Sequence, residues 1–201
     1  KEVDELLICI TDQNFSLEDN PHFLTKLAKQ ARMPLALSAN ITSPAQVEFL
    51  VSLGYEKIVL SSCLPSLGMS QFAELSVISG QQSLVAGIPC TFTGDSWKFY
   101  DWRNRCSSTP VSDILSQISQ MTFGEYFFYN VDRDGMKTGV DHDLIEFILN
   151  IIEDTNVSFA GGIASKNEII ELVDRYPGVG FGASSALALQ GKFDAVLLSY
   201  I

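Results

Sequence analysis

The sequence predicts an α/β fold built on a parallel sheet, and three observations carry that expectation. Short runs rich in Leu, Ile, Val and Phe recur at 6–10, 34–38, 57–61, 83–88, 126–130, 157–160 and 179–183. They alternate little between apolar and polar residues, as strands covered on both faces do. Between them, 21–30, 44–53, 71–79, 111–120, 144–153 and 167–175 place apolar residues at i, i+3 and i+4, the helical period. No low-complexity segment or linker interrupts the order, so the chain reads as βαβ units in one domain, residues 1–201.

Local signals support the elements in turn. Residues 1–5 alternate charge and lead straight into the first strand, with Lys and not Met in first place. Ser43 before Pro44 reads as a helix N-cap with proline in the first turn, and Ser165 followed by Glu168 reads as a capping box. The longest stretch without a clear period is 91–110, which holds Trp97, Phe99, Tyr100 and Trp102. A long loop after a parallel strand lies on the ligand-binding face, so this one is a lid over a substrate or a local packing cap. Seven strands suit an open doubly wound sheet. They would leave a closed (β/α)8 barrel one strand short, with two unpaired edges facing each other.

Composition removes several classes. The chain has 201 residues and a net charge of −11, which argues against a nucleic-acid partner because phosphate neutralisation needs clustered Lys and Arg. A hydrophobic fraction of 46% excludes disorder, and no apolar run is long enough to span a membrane. Cys9, Cys63, Cys90 and Cys106 show no CxxC pairing, so they read as free, mostly structural thiols of a cytoplasmic protein. His22 and His142 sit in polar, loop-like contexts, which predicts neither a histidine triad nor a metal site. No cofactor is expected.

Two segments could carry chemistry. Asn130-Val-Asp-Arg-Asp-Gly-Met-Lys-Thr-Gly139 puts charges at the C-terminal end of a strand, where such folds assemble their sites. Asp134, just before Gly135, is better placed to face a ligand than Asp132, and a charged turn with a local salt bridge is the plainer reading. Phe159-Ala-Gly-Gly-Ile-Ala-Ser165 then runs into paired glycines and a capped helix, and Phe181-Gly-Ala-Ser-Ser185 adds two hydroxyls. Gly161, Gly162, Ser184 and Ser185 on successive loops suit a phosphate group.

The runs DRDGMKTGVDHDLIEFI, FAGGIASKNEIIELV and FGASS resemble the cyclase subunit of imidazole glycerol phosphate synthase. The ending GKFDAVLLSYI is similar to a cyclase-like branch associated with surface-sugar amidation. The resemblance runs along the whole chain, with VDELLI matching the family's second strand and GYEKIVLSS its fourth. It implies a (β/α)8 TIM-type barrel lacking its first β-strand and helix in this chain, the unit that the edge argument also demands. It implies a ligand-contacting role for Asp134 and one phosphate site at Gly161, Gly162, Ser184 and Ser185. Ser62 stands where the family has a hydroxyl in its other phosphate site. That site is otherwise eroded, because the family's glycine-rich loop reads Ser38-Ala-Asn-Ile41 here. The family's acid–base aspartates fall on Pro89 and on the absent first strand, and a second-strand aspartate falls on Ile10.

Glu5, Lys57 and Glu125 stand immediately before strands or at their first residues, so their side chains can converge at one end of the sheet. In the family such charges form a gate through which ammonia enters from a docked glutaminase; a stabilising charge ring is the alternative. The resemblance therefore implies a cyclase-like, lyase-type subunit of histidine biosynthesis with a glutaminase partner, a phosphorylated ligand and a degraded acid–base centre. The family reaction yields imidazole glycerol phosphate and a carboxamide ribotide. A non-catalytic scaffold that docks the glutaminase and passes ammonia on, and a sugar-phosphate isomerase-like barrel, are the other readings.

Overall fold

A computed structural model describes residues 3–12, 14–152 and 155–188, the side chains of 187 and 188 excepted. The chain forms two compact units. The first comprises the chain up to Gly87 with Asp101–Arg105 and Asp113–Glu125; the second comprises Ile88–Tyr100, Cys106–Ser112 and the chain from Tyr126.

In the first unit, strand β1 (Leu6–Cys9) leads to helix α1 (Pro21–Gln30), β2 (Leu35–Ser38), α2 (Pro44–Ser52), β3 (Lys57–Leu60) and α3 (Met69–Ser79). Strand β4 (Leu84–Thr93) contributes residues 84–87 to this unit. All pairings are parallel, with Leu7 opposite Ala36, Leu37 opposite Ile58 and Ile58 opposite Leu84. Leu35, Ala36 and Leu37 are buried without alternation, as are Ile58, Val59 and Leu60, because a parallel strand is covered on both faces. Burying each Leu or Ile there contributes about 2 kcal/mol. Leu24 of α1 and Val47 and Leu50 of α2 supply the covering side chains, and Tyr55 Oη donates to Leu24 O at 3.1 Å. Helix α4 (Val111–Ile118) buries Val111, Ile114, Leu115 and Ile118, a single i, i+3, i+4, i+7 stripe.

The stretch 91–110, of the second unit except for Asp101–Arg105, is not a loop. Strand β4 runs on to Thr93 and turns back antiparallel into β5 (Ser96–Asp101), which pairs with β6 (Cys106–Pro110). Thr93 faces Ser96 across the two-residue turn Gly94-Asp95, with Gly94 at φ 73°. Glycine at the first turn position is the hairpin signature, and Trp97 and Phe99 alternate inward between Ser96, Lys98 and Tyr100, the strand period. Phe92 and Trp97 meet edge-on at 5.1 Å. The aromatic cluster is thus partly a packed strand face, with Trp97 and Phe99 buried and Phe92 and Trp102 exposed.

The remainder of this unit follows the predicted order: β7 (Glu125–Asn130), α5 (His142–Leu149), β8 (Val157–Ala160), α6 (Lys166–Arg175), β9 (Gly180–Gly182) and the short α7 (Ser185–Ala188). Strands β7, β8 and β9 are parallel, with Phe128 opposite Phe159 and Ala160 opposite Gly182. The rings of Phe128 and Phe159 stack at 5.5 Å in the core. The fold class is therefore α/β, parallel strands alternating with helices and interrupted by the β4–β6 hairpins, consistent with the (β/α)8 expectation.

Two local readings change. His22 and His142 lie in the first turns of α1 and α5 and not in loops. The Ser165–Glu168 box is half formed: Ser165 Oγ accepts from Glu168 N at 3.2 Å, but Glu168 Oε2 accepts from Ala164 N at 2.7 Å instead of the cap residue. Its other oxygen takes Val140 N at 2.9 Å, so this side chain clamps a neighbouring loop to the helix.

Candidate functional site

Glu5 precedes β1, Lys57 opens β3 and Glu125 opens β7. The structure brings the three together. Lys57 Nζ lies 2.6 Å from Glu5 Oε2 and 2.7 Å from Glu125 Oε2, with side-chain exposures of 31%, 29% and 17%. Burial alone would pull the Lys57 ammonium down, but its hydrogen bonds to Glu125 and Glu5 outweigh this and hold its pKa above the usual lysine value. One cation shared by two carboxylates makes a half-buried cluster with two acids to one base. Such a group can exchange hydrogen bonds with a small polar molecule passing it.

At the C-terminal end of β7 the charges are mostly committed to structure. Asn130 is buried, and its Oδ1 accepts from Arg133 N at 3.1 Å. Arg133 Nε meets Asp141 Oδ2 at 3.0 Å and its Nη1 donates to Gly139 O at 3.2 Å. Asp141 also caps α5, accepting from Asp143 N and Leu144 N at 3.1 and 3.3 Å. Asp132 accepts from Thr91 Oγ1 at 2.7 Å and Phe92 N at 2.8 Å, tying this turn to β4. Asp134, by contrast, is exposed beside Gly135 at φ 70°, and its carboxylate has no partner among the described residues. Asp132 is thus spent on the fold, whereas Asp134 is left without such a contact among the described residues.

Gly161 and Gly162 adopt φ of 102° and 94°. A Cβ on Gly161 would lie 2.4 Å from Asn130 O, and one on Gly162 would lie 2.3 Å from Gly139 O. Gly139 N donates to Gly162 O at 2.9 Å. Close packing of the β7 and β8 loops therefore demands both glycines before any ligand does. The loops after β8 and β9 are neighbours through the Ala160–Gly182 register, which puts Ser184 and half-buried Ser185 on the loop next to the paired glycines. Ser62 lies in the first unit, half-buried in the turn after β3.

Pro89 is buried within β4, and Ile10 extends the β1 ladder, its N donating to Ser38 O at 2.8 Å. The four cysteines are free thiols, and burial pushes Cys90 far up, with Asp132 adding to the effect. Among the described residues no group of three or more His, Cys, Asp or Glu side chains could hold a metal ion, and no helix is long and apolar enough to cross a membrane.

Sequence reasoning missed one polar surface. Arg133, Thr138, Gly139, Asp141, His142 and Glu168 line an open cavity of about 400 Å³, and His142 Nδ1 sits 2.9 Å from Tyr176 Oη. Its Arg133, Asp141 and Glu168 are the same side chains that knit the loops together, so it is a by-product of that clamp. No local signal announces it, because its members come from three separated segments.

Comparison with known proteins places these features in one family. The chain is 29% identical over 203 residues to a Pseudomonas aeruginosa protein named "Putative imidazole glycerol phosphate synthase subunit hisF2", covering 100% of this chain and 80% of that one. It is 28% identical over 204 residues to a Leptospira borgpetersenii protein named "Putative imidazole glycerol phosphate synthase subunit HisF", with the same coverage. A phosphoribosyl-imidazole-4-carboxamide isomerase of Leptospira biflexa is 25% identical over 193 residues, 94% of this chain and 76% of the isomerase. The family model described as "Histidine biosynthesis protein" matches residues 3–194, and the chain belongs to that family.

Proposed function

We propose that this chain is a cyclase-like subunit of the imidazole glycerol phosphate synthase type that takes ammonia from a partner glutaminase and lacks the family's acid–base pair. The observation that carries the reading is the Glu5–Lys57–Glu125 cluster. Ammonia is neutral and small, and it both donates and accepts. As it passes, it can accept from the Lys57 ammonium while donating to Glu5 or Glu125, so that each charge exchanges one partner for another. Partial exposure keeps that exchange cheap, since half-solvated ion pairs are screened.

The ligand is a phosphorylated small molecule, whose phosphate is held by the Gly161–Gly162 and Ser184–Ser185 loops. Asp134, the uncommitted carboxylate of its turn, faces the ligand's polar groups. Support comes from the names of the relatives and from the small-residue loops that follow β8 and β9. Proline and isoleucine at positions 89 and 10 can neither take nor give a proton, and general acid–base catalysis contributes about 10²–10⁴-fold to a rate. Ring closure by this chain is therefore slow. That same observation favours a second reading, in which the chain only docks the glutaminase and hands ammonia to a separate amidotransferase.

Turnover of the cyclase substrate with ammonium salts separates the two readings. Slow, ammonia-dependent formation of imidazole glycerol phosphate supports the cyclase-like subunit. No product together with intact glutaminase binding supports the scaffold, and absence of both overturns the ammonia-accepting role itself.

A further inference from the structure

Asp134 and Gly135 are the one Asp-Gly pair in the sequence, and they form the middle of a tight turn. Met136 N donates to Arg133 O at 3.1 Å, Asp134 has φ −60° and ψ 131°, and Gly135 has φ 70°. These angles make a type II turn, whose third position needs positive φ and so favours glycine. Among the described residues neither Asp134 O nor Gly135 N takes part in a hydrogen bond, and a Cβ built on Gly135 would meet nothing within 4 Å. Rotating that peptide plane takes a type II turn toward type I and keeps the Arg133–Met136 bond, and glycine accepts φ of either sign. The rotation, which swings Gly135 N around toward the Asp134 side chain, therefore breaks no hydrogen bond.

The neighbouring aspartate is held in the opposite way. The Asp132 carboxylate accepts from Thr91 Oγ1 at 2.7 Å and Phe92 N at 2.8 Å, and the amide after it, Arg133 N, donates to Asn130 Oδ1 at 3.1 Å. Carboxyl carbon and following nitrogen are both tied down there. At Asp134 the carboxylate is exposed and has no partner among the described residues, and neither has the nitrogen that follows it. Every other aspartate of the chain precedes a residue whose side chain shields its nitrogen.

We propose that Asp134–Gly135 is a site of spontaneous backbone isomerisation, at which Asp134 converts to isoaspartate. With the carboxyl group protonated, Gly135 N attacks Asp134 Cγ. The new N–C bond closes a five-membered succinimide, and the amide proton and the carboxyl hydroxyl leave together as one water. Water then adds at either ring carbonyl as its bond to nitrogen breaks. Opening at the side-chain carbonyl restores aspartate. Opening at the backbone carbonyl leaves the chain running through Cβ and Cγ, with the carboxylate directly on Cα. The product has the mass of the starting chain, a backbone longer by one carbon and a side chain shorter by one. Under the proposed function this carboxylate faces the ligand, so each conversion removes one competent site.

The test is storage of the folded 201-residue chain in neutral buffer, followed by peptide mapping with electron-transfer fragmentation, which separates isoaspartate from aspartate of equal mass. A free peptide of residues 130–139 runs alongside as an unrestrained Asp-Gly pair. Wild type should accumulate isoaspartate at residue 134 at a rate of the same order as the peptide, with none above background at Asp132. Methyl incorporation by an isoaspartate methyltransferase should rise in step. Asp134→Glu keeps the charge but would have to close a six-membered ring, so the rise should be lost, with circular dichroism verifying the fold. Gly135→Ala, which shields the nitrogen, should lose most of it. Conversion of the peptide but not of the folded chain would overturn the proposal, as would methyl incorporation undiminished in Asp134→Glu.

Discussion

The amino ends of the strands and their carboxyl ends treat charge differently. At the amino ends, Glu5, Lys57 and Glu125 gather into one half-buried cluster. At the carboxyl end of β7, Arg133, Asp141 and Asp132 are drawn into loop-to-loop hydrogen bonds, and β4 carries a buried proline where the family resemblance asks for an aspartate. Under the proposed function the two ends answer to separate demands. An entry route for ammonia needs only a few exchangeable charges, whereas ring closure needs titrating groups aimed at the substrate. A chain can keep the first and lose the second without disturbing its sheet.

The largest expected effect belongs to the carboxyl-end loops. Gly162→Ala places a Cβ 2.3 Å from Gly139 O at a φ of 94°, and backbone must shift to admit it. Urea unfolding should show a loss of about 3 kcal/mol or more. A loss under about 1 kcal/mol would mean that the loops are not closely packed, and that the glycines answer to a ligand alone.

A smaller effect follows from removing the hub of that network. Asp141→Ala deletes the α5 cap and strands Arg133, so stability should fall by about 2 kcal/mol in the same measurement. Asp134→Ala, at the exposed and uncommitted carboxylate, should change stability by less than about 0.5 kcal/mol. Equal losses at the two positions would erase the division between structural and free aspartates.

The smallest effect lies at the amino ends. The Lys57 pKa is raised on folding, so its contribution to stability is fully present below the unfolded lysine value and fades as pH rises through the folded one. Wild type should therefore exceed Lys57→Met in stability at pH 9 by under about 1 kcal/mol, a margin that shrinks above pH about 10.5. Unfolding curves taken at several pH values read this directly. A margin that is constant with pH would place the stabilisation in the lysine stem and not in its charge.

Much of this was legible in the sequence because parallel strands announce themselves as unbroken apolar runs and their helices as capped stripes. Even the charge cluster was foreseeable, since residues at the starts of alternate strands in a parallel sheet share one end and point to the same side. The hairpin of β4 and β5 is encoded by Gly94-Asp95 and by the alternation of Trp97 and Phe99, but its polar and aromatic mixture lacks the unbroken apolar run of the parallel strands and so reads as a loop, a lid or a packing cap. Gly161 and Gly162 were legible as special residues but not for the full reason. Their contacts with Asn130 O and Gly139 O are long-range, and no local pattern encodes them. Glu168 is the same case: its helix-start position was plain, and its reach to Val140 N was not.

The central claim is that the Glu5–Lys57–Glu125 cluster passes ammonia from a glutaminase. The direct measurement is glutamine-dependent ammonia transfer, with binding of the glutaminase followed in parallel, for wild type and Lys57→Glu. Reversing the charge puts three carboxylates together, so the account predicts a drop of at least about tenfold in transfer, in binding or in both. Transfer and binding both unchanged in the folded variant would contradict it.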